Sequence, residues 1–253
     1  IANLFGRANN AKTSYKRLAS FMEETKDDDV SEKNESAIRR EKLGSIEFKD
    51  TSYRYPGADV DTLKNINLKV NEGEKVAILG RNGSGKSTLM KLASGLFKSS
   101  DGLVMYDGVD IRQLHTEDLS RSIGIVLQDV QLFSGSVREN ITMGRKDISQ
   151  EDLVNASKLS GLDEFISKVP GGYDLQLSDG GKGLSGGQRQ SIALARSIVH
   201  SPSHFILDEP TSAMDMNAEN LFINQISSIL KDSTMLIVTH RMPLLNLVDR
   251  IIV

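Results

Sequence analysis

The chain contains no cysteine. That absence excludes a disulfide framework and any thiolate metal site, and it fits a cytosolic setting. No apolar run approaches the ~20 residues that a helix needs to cross a bilayer. The first residues mix Asn, Arg and Lys with short apolar patches and do not read as a secretory leader. Nor is there a basic excess. Charged residues make up 26% of the chain and sum to a formal net charge of −3, which removes the electrostatic case for a nucleic-acid partner. No internal repeat or low-complexity tract interrupts the sequence. What remains is 253 residues, 38% of them hydrophobic, enough for one substantial core with a subdomain or a tail. The chain opens at Ile1 without a methionine and closes at Ile251-Ile252-Val253 in strand-like sequence; the expectation is a piece of a longer polypeptide.

Over residues 1–25, Leu4, Ala8, Ala11, Tyr15, Leu18 and Met22 recur at spacings of four and three, one face of an amphipathic helix. It could pack on its own domain or form a short coiled-coil seam; it could also be the extension of a transmembrane helix leading into the compact domain. Residues 26–43 are polar and charge-rich and read as a solvated linker. The compact domain is expected over 44–253. Ile46 and Phe48 alternate with polar residues, as do Ile66, Leu68 and Val70, which predicts an antiparallel subdomain. Lys75–Leu79, Ile123–Leu127, Phe205–Leu207 and Met235–Thr239 are short apolar strands. Between them lie helical patterns at Lys86–Gly95, Val137–Thr142, Glu151–Ser160 and Gly186–His200, and one carrying Leu221, Phe222, Ile226, Ile229 and Leu230. Strands alternating with helices predict an α/β fold with a mainly parallel sheet. The stretch from about 129 to 188 reads as an α-helical insert in it.

Gly80-Arg81-Asn82-Gly83-Ser84-Gly85-Lys86-Ser87-Thr88 fits the GxxxxGK[ST] loop. Its glycines let backbone N–H groups turn onto phosphates, and the helix starting at Lys86 adds its positive end. Lys86 would reach the β- and γ-phosphates and the Ser87 hydroxyl would ligate Mg²⁺. Asp208 and Glu209 close an apolar strand, at the sheet edge where open α/β folds bind ligands. Asp208 would hold Mg²⁺ through its water shell and Glu209 would polarise an attacking water. Ser185-Gly186-Gly187-Gln188 opens a helix with Ser185 as N-cap, either an ordinary capped start or an anion site. Tyr55 could stack on adenine or pack on the sheet. Gln128, at a strand end, could reach Mg²⁺ or the water, or be a simple loop residue. His240 follows a buried strand and points to phosphate contact.

Taken in order, the Gly80–Thr88 loop, Leu184-Ser185-Gly186-Gly187-Gln188 and Phe205-Ile206-Leu207-Asp208-Glu209 resemble the ATP-binding-cassette (ABC) ATPases across 44–253. The resemblance implies a P-loop NTPase core, with Tyr55 as the adenine-stacking A-loop tyrosine and Gln128 as the Q-loop glutamine. Ser212-Ala213-Met214-Asp215 is similar to the D-loop, and His240 to the switch histidine. It further implies a head-to-tail dimer with two ATP and Mg²⁺, each P-loop facing the partner copy's Ser185–Gln188 and Asp215. Leu132-Phe133-Ser134-Gly135-Ser136-Val137-Arg138-Glu139-Asn140-Ile141 resembles exporters, whose membrane domain shares the polypeptide. Asp179 and Gly180 depart from the Glu-Arg many exporters carry in the loop facing that domain. Gly171-Gly172-Tyr173-Asp174 and Glu209–Asp215 look most like bacterial type I secretion ATPases of the large-adhesin and RTX-toxin kind. That implies protein or peptide cargo, a periplasmic adaptor and an outer-membrane channel, at the cytoplasmic face of the inner membrane. Three other readings compete: a soluble ABC ATPase of DNA repair or translation, a separate importer subunit, and a regulatory cassette without hydrolysis. The absence of a long coiled-coil insertion or second cassette, the leading helix, and Glu209 together with His240 weigh against them in turn.

Overall fold

The computed structural model describes residues 37–40, 42–212, 214 and 216–253. The chain divides into two units between Ile38 and Arg39, and nearly all described residues belong to the second. The expected helix over 1–25, most of the 26–43 linker, and Asp215 lie outside the described residues.

β1 (Ile46–Tyr53) and β2 (Leu63–Val70) pair antiparallel, Ile46 opposite Val70 and Phe48 opposite Leu68. After β3 (Lys75–Ile78) and α1 (Lys86–Ala93), β4 (Asp101–Tyr106) returns to the other side of β1, followed by β5 (Val109–Asp110). The order β2-β1-β4-β5 makes a four-stranded antiparallel sheet. α2 (Thr116–Ser122) then leads into β6 (Ile123–Val126). Between β6 and the next strand of its sheet lie β7 (Gly135–Ser136), α3 (Val137–Thr142), α4 (Gln150–Leu159), α5 (Asp163–Ile166), β8 (Gln176–Leu177) and α6 (Gly186–Ile198). β7 and β8 pair antiparallel, so this region is not helical throughout. The chain ends through β9 (His204–Asp208), α7 (Met216–Ile229), β10 (Thr234–Val238), α8 (Met242–Leu245) and β11 (Arg250–Ile252).

All strand pairs of the second sheet are parallel, in the order β11-β3-β10-β9-β6. Every residue of β9 and β10 is buried, as expected where both faces are covered. Alternation still sorts the side chains. Phe205, Leu207, Met235 and Ile237 join one cluster with Ile192 and Leu194 of α6. Ile206, Leu236 and Val238 join the other, with Leu89, Met90 and Leu92 of α1 and Phe48 of β1. Burial on this scale is the main stabilising term, at roughly 1.5–3 kcal/mol per large apolar side chain. α6 lies close on β6: a Cβ at Gly124 would fall 2.5 Å from the Ser197 carbonyl oxygen, so any larger residue there would push the helix away.

Three of the four helix starts in the region between β6 and β9 share one device, α5 being the exception. Ser136 with Glu139, Ser149 with Asp152, and Ser185 with Gln188 each form a reciprocal capping box ahead of α3, α4 and α6, stabilising each start by ~1 kcal/mol. Where the sequence pattern marks a helix or strand, the limits fall within a few residues of it, whereas β4, α2, α5 and α8 have no counterpart in that pattern. β9 stops at Asp208, and Glu209 has left the strand with φ at 48°.

At the opposite end of β9, His204 is fully buried. Its Nε2–H donates to the Gly44 carbonyl, and Nδ1 accepts from the Ser203 hydroxyl at 3.0 Å. Burial holds the imidazole at about 4, well below its usual 6.5, against the opposing pull of the Gly44 bond. The unfolded chain therefore takes up a proton that the native fold refuses as pH falls from 6.5 towards 4. Stability present above pH 6.5 should drop across that window, by up to about 3 kcal/mol from this residue. Urea titrations at pH 7, 5.5 and 4.5 on wild type and His204→Gln test this; the variant, whose amide can still donate to Gly44, should show the shallower decline. Parallel declines would assign the acid sensitivity elsewhere.

Candidate nucleotide site

The glycine loop leaves β3 at its carboxyl end and turns into α1. Gly83 and Gly85 take the left-handed region, φ 80° and 90°. At Gly85 a Cβ would also meet Leu63 Cδ2 at 2.7 Å and the Thr62 carbonyl oxygen at 3.1 Å, so only glycine fits. Gly85 is the N-cap of α1 and supplies no side-chain cap, which leaves the first-turn N–H groups to an outside acceptor. Lys86 Nζ lies over the loop, donating to the carbonyls of Gly80 (2.9 Å) and Arg81 (2.8 Å). Behind it, Gly80 is tight against Ser84, with its Cβ position 2.9 Å from Ser84 Oγ.

Tyr55 reaches the same helix. Its hydroxyl is 3.0 Å from Thr88 Oγ1, and its ring meets Tyr53 and Phe97 edge-on at 5.1 and 5.8 Å. It remains 38% exposed, so part of its surface is open to a flat ligand while its edge is packed.

Asp208 ends β9 beside this loop and is buried. Burial pushes its carboxyl up, the Ser87 hydroxyl beside it pulls down, and the Glu209 charge adds to the rise. Its Oδ1 has no hydrogen-bond partner. Glu209 N–H donates to the Val238 carbonyl at 2.8 Å, which locks the left-handed turn onto β10. Its Oε1 is 3.0 Å from His240 Nδ1, and its Oε2 is buried and unpartnered. His240 itself is largely exposed, whereas Glu209 is largely covered.

Tyr55, Asn82, Gly83, the run from Gly85 to Thr88, Gln128, Asp208 and Glu209 line one open cleft of about 490 Å³. His240 joins it through Glu209. A larger hollow, about 730 Å³, opens beside Ser122, His200 and Ser203, at the other end of the parallel sheet, and contains none of the candidate residues. The buried, unpaired oxygens of Asp208 and Glu209 mark the 490 Å³ cleft as the chemical centre. Among the described residues no group of three His, Asp or Glu converges as a metal cage, so a cation here would draw most of its ligands from substrate and water.

Ser185, Gly186, Gly187 and Gln188 do not line this cleft. Ser185 Oγ accepts from Gln188 N–H at 3.1 Å and Ser185 N–H donates to Gln188 Oε1 at 2.8 Å; Gly187 borders a separate hollow with Met214 and Leu221. The sequence pattern also gave no sign of three residues packed behind the cleft, Gln190, Glu219 and Arg241. A buried glutamate in the first turn of a helix has the same local signature as an exposed one.

The ABC transporter family model matches residues 63–212, more than half of the chain. The chain belongs to the ABC transporter family. It is 43% identical over 210 residues to the cyclolysin secretion/processing ATP-binding protein CyaB of Bordetella pertussis, covering 83% of this chain and 30% of that protein. It is 38% identical over 219 residues to YgaD of Bacillus subtilis, whose name assigns it provisionally to multidrug export, covering 86% of this chain and 38% of that one. A solved bacterial Atm1-family ABC exporter with ATP bound superposes with a TM-score of 0.75 at 31% identity, covering 83% of this chain and 36% of that one. The chain thus spans about a third of the length of these relatives. Its fold is that of an ABC ATPase domain, a P-loop NTPase core with an antiparallel β sheet and helices between β6 and β9. Among the described residues no helix is long and apolar enough to cross a membrane.

Replacing Lys86 by Ala removes the cation over the loop. A charge-assisted hydrogen bond contributes ~1.5–3 kcal/mol, so ATP affinity should fall between about tenfold and a hundredfold. Fluorescent-nucleotide titration of the folded variant measures it, and unchanged affinity would take Lys86 out of the site.

Proposed function

We propose that this chain is the ATP-hydrolysing domain of a membrane exporter. The observation that carries the reading is the Glu209–His240 pair: one carboxylate oxygen tied to the histidine, the other buried and free beside the glycine loop. In this reading the loop amides from Asn82 to Thr88 and Lys86 bind the triphosphate, and Tyr55 carries the adenine.

Ser87, Asp208 and Gln128 would hold Mg²⁺. The fit is supported by the unpaired Asp208 Oδ1 and by a carboxyl that burial pushes up against the pull of Lys86 and Lys91. The ion, when bound, neutralises charge on the phosphate oxygens. Glu209 Oε2 accepts a hydrogen bond from the attacking water and draws its proton. His240 Nδ1–H, donating to Oε1, fixes the carboxylate's orientation. The left-handed backbone at Glu209 aims that carboxylate off the strand line, a conformation costing ~1–3 kcal/mol that persists at functional sites.

The capped helix start at Ser185 lies outside the chain's own cleft, which supports a head-to-tail dimer. There Ser185, Gly186, Gly187, Gln188 and Asp215 of one copy would close over the ATP of the other. A transmembrane domain on the same polypeptide, with residues 1–25 as its helical extension and 26–43 as the linker, is supported by the third of their length that the relatives share with this chain. Location at the cytoplasmic face of a bacterial inner membrane follows from that reading. Protein or peptide cargo, with a periplasmic adaptor and an outer-membrane channel, is supported by the cyclolysin relative. Small-molecule export is the second reading, supported by the Bacillus relative.

Glu209→Gln should keep ATP binding and slow hydrolysis by roughly 10²–10⁴-fold, the range for losing a general base. It should also accumulate an ATP-bound dimer on size-exclusion chromatography. Wild-type turnover by a monomeric variant would remove Glu209 from the mechanism. Ser185→Arg should abolish hydrolysis while sparing ATP binding to the monomer; loss of monomer binding would place Ser185 in its own chain's site and end the head-to-tail reading.

A further inference from the structure

The residues that hold Glu209 and His240 stand one step behind them. After Glu209 the chain turns tightly, with Ser212 N–H donating to the Glu209 carbonyl and Met214 N–H to the Thr211 carbonyl, both at 3.1 Å. The Thr211 hydroxyl donates to Glu219 Oε1 at 2.9 Å, and both residues are buried. Glu219 Oε2 accepts from Arg241 Nη1 at 3.1 Å. Arg241 is the residue after His240, and its N–H donates to the buried Thr239 Oγ1 at 3.1 Å. One buried carboxylate on α7 thus joins the loop after β9 to the loop after β10.

Each oxygen of Glu219 already accepts a hydrogen bond, and Glu219 does not line the cleft. A buried ion pair is weak evidence for stability, because removing charges from water costs about as much as their attraction returns. An apolar pair would fill the space as well. What the ion pair provides and an apolar pair would not is direction: two hydrogen bonds that fix two loops relative to each other. A third bond reaches the same turn from another side. Nε2 of Gln190, a buried residue of α6, donates to the Pro210 carbonyl. Gln190 lies two residues beyond Gln188, on the helix that Ser185 heads.

We propose that Glu219 is a positioning residue for hydrolysis, clamping Thr211 and Arg241 so that Glu209 and His240 are presented as one unit. Gln190 ties that unit to the helix whose start meets the other copy's ATP. The inference rests on Glu209 and His240 being the hydrolytic pair. It carries a consequence for the dimer: a shift of α6 on meeting a partner's nucleotide pulls on Pro210, the neighbour of Glu209, within the same chain.

Steady-state ATPase kinetics on the full chain test the clamp. Glu219→Ala and Arg241→Ala should each lower kcat by about tenfold or more with KM for ATP within about twofold, the split expected of a group that acts only on the transition state. Glu219→Gln keeps an acceptor for Arg241 and a donor for Thr211, and should recover most of the rate. Gln190→Ala combined with Glu219→Ala should lose little more than the worse single variant, since parts of one unit do not multiply. A Glu219→Ala enzyme with wild-type kcat, a loss confined to KM, a Gln variant as slow as Ala, or fully multiplicative losses would each overturn the proposal. If Glu219→Ala does not fold, Arg241→Ala decides, because that side chain is one-third exposed; a normal kcat there has the same force. Glu209→Gln, assayed alongside, separates the failures. Wild-type turnover by that variant removes the pair and the clamp with it, whereas a silent Glu209→Gln beside a fully active Glu219→Ala removes the clamp alone.

Discussion

Two adjacent carboxylates held at the end of a buried strand, each with one oxygen unpaired, set the terms for the rest of the structure. Such groups are costly: an unsatisfied buried acceptor loses ~1–3 kcal/mol, and more when charged. Glu209 adds the strain of a left-handed backbone. The fold offsets these costs locally. The Ser87 hydroxyl and the Lys86 charge favour the ionised Asp208, His240 bonds one oxygen of Glu209, and the Glu209 N–H is tied to Val238. The residues left with an unpaired oxygen line the cleft together with the glycine loop, where a ligand would relieve the remaining cost.

The scaffold makes this arrangement from topology rather than from local sequence. In the order β11-β3-β10-β9-β6, strands β3, β10 and β9 are neighbours, at ~4.8 Å spacing. The segments leaving their carboxyl ends carry Lys86, His240 and Glu209, far apart in the chain. Parallel pairing puts all three ends on one edge. Sheet rigidity comes from burial on both faces, with Phe205 and Leu207 set against α6 and Ile206 and Val238 against α1. A core substitution at Ile206 or Leu207 would therefore be felt at the cleft as well as in stability.

The parts legible in the sequence were those whose chemistry is written in consecutive residues. The glycine loop, the apolar strand ending in Asp208, the Ser185 cap and the paired strands at Ile46 and Ile66 needed no tertiary information. β4 was not legible: Asp101-Gly102-Leu103-Val104-Met105-Tyr106 shows no clean alternation, and the strand is defined by its pairing with β1. The exit of Glu209 from β9 was hidden because φ at one residue depends on the bond to Val238, a partner on another strand. The His240–Glu209 bond and the Glu219–Arg241 pair arise from contacts between segments separated by tens of residues, and the Thr211–Glu219 bond closes across a turn of eight. Composition and period carry no trace of them.

The Ser185 helix start shows how the two kinds of information combine. The capping box satisfies the N–H groups of Ser185 and Gln188 within the chain. The N–H groups of Gly186 and Gly187 have no intrahelical acceptor, as in the first turn of any helix, and the glycines keep them uncovered. Gln190, bonded to Pro210, and the close contact of Ser197 with Gly124 fix α6 against β6 and the β9 loop. The helix cannot swing its start into its own cleft without breaking those contacts. In the proposed head-to-tail dimer, an anion at that start would come from another molecule. A second copy carrying ATP on its Lys86 loop would supply one of the right charge, and the same closure in reverse would give the first copy's ATP further donors.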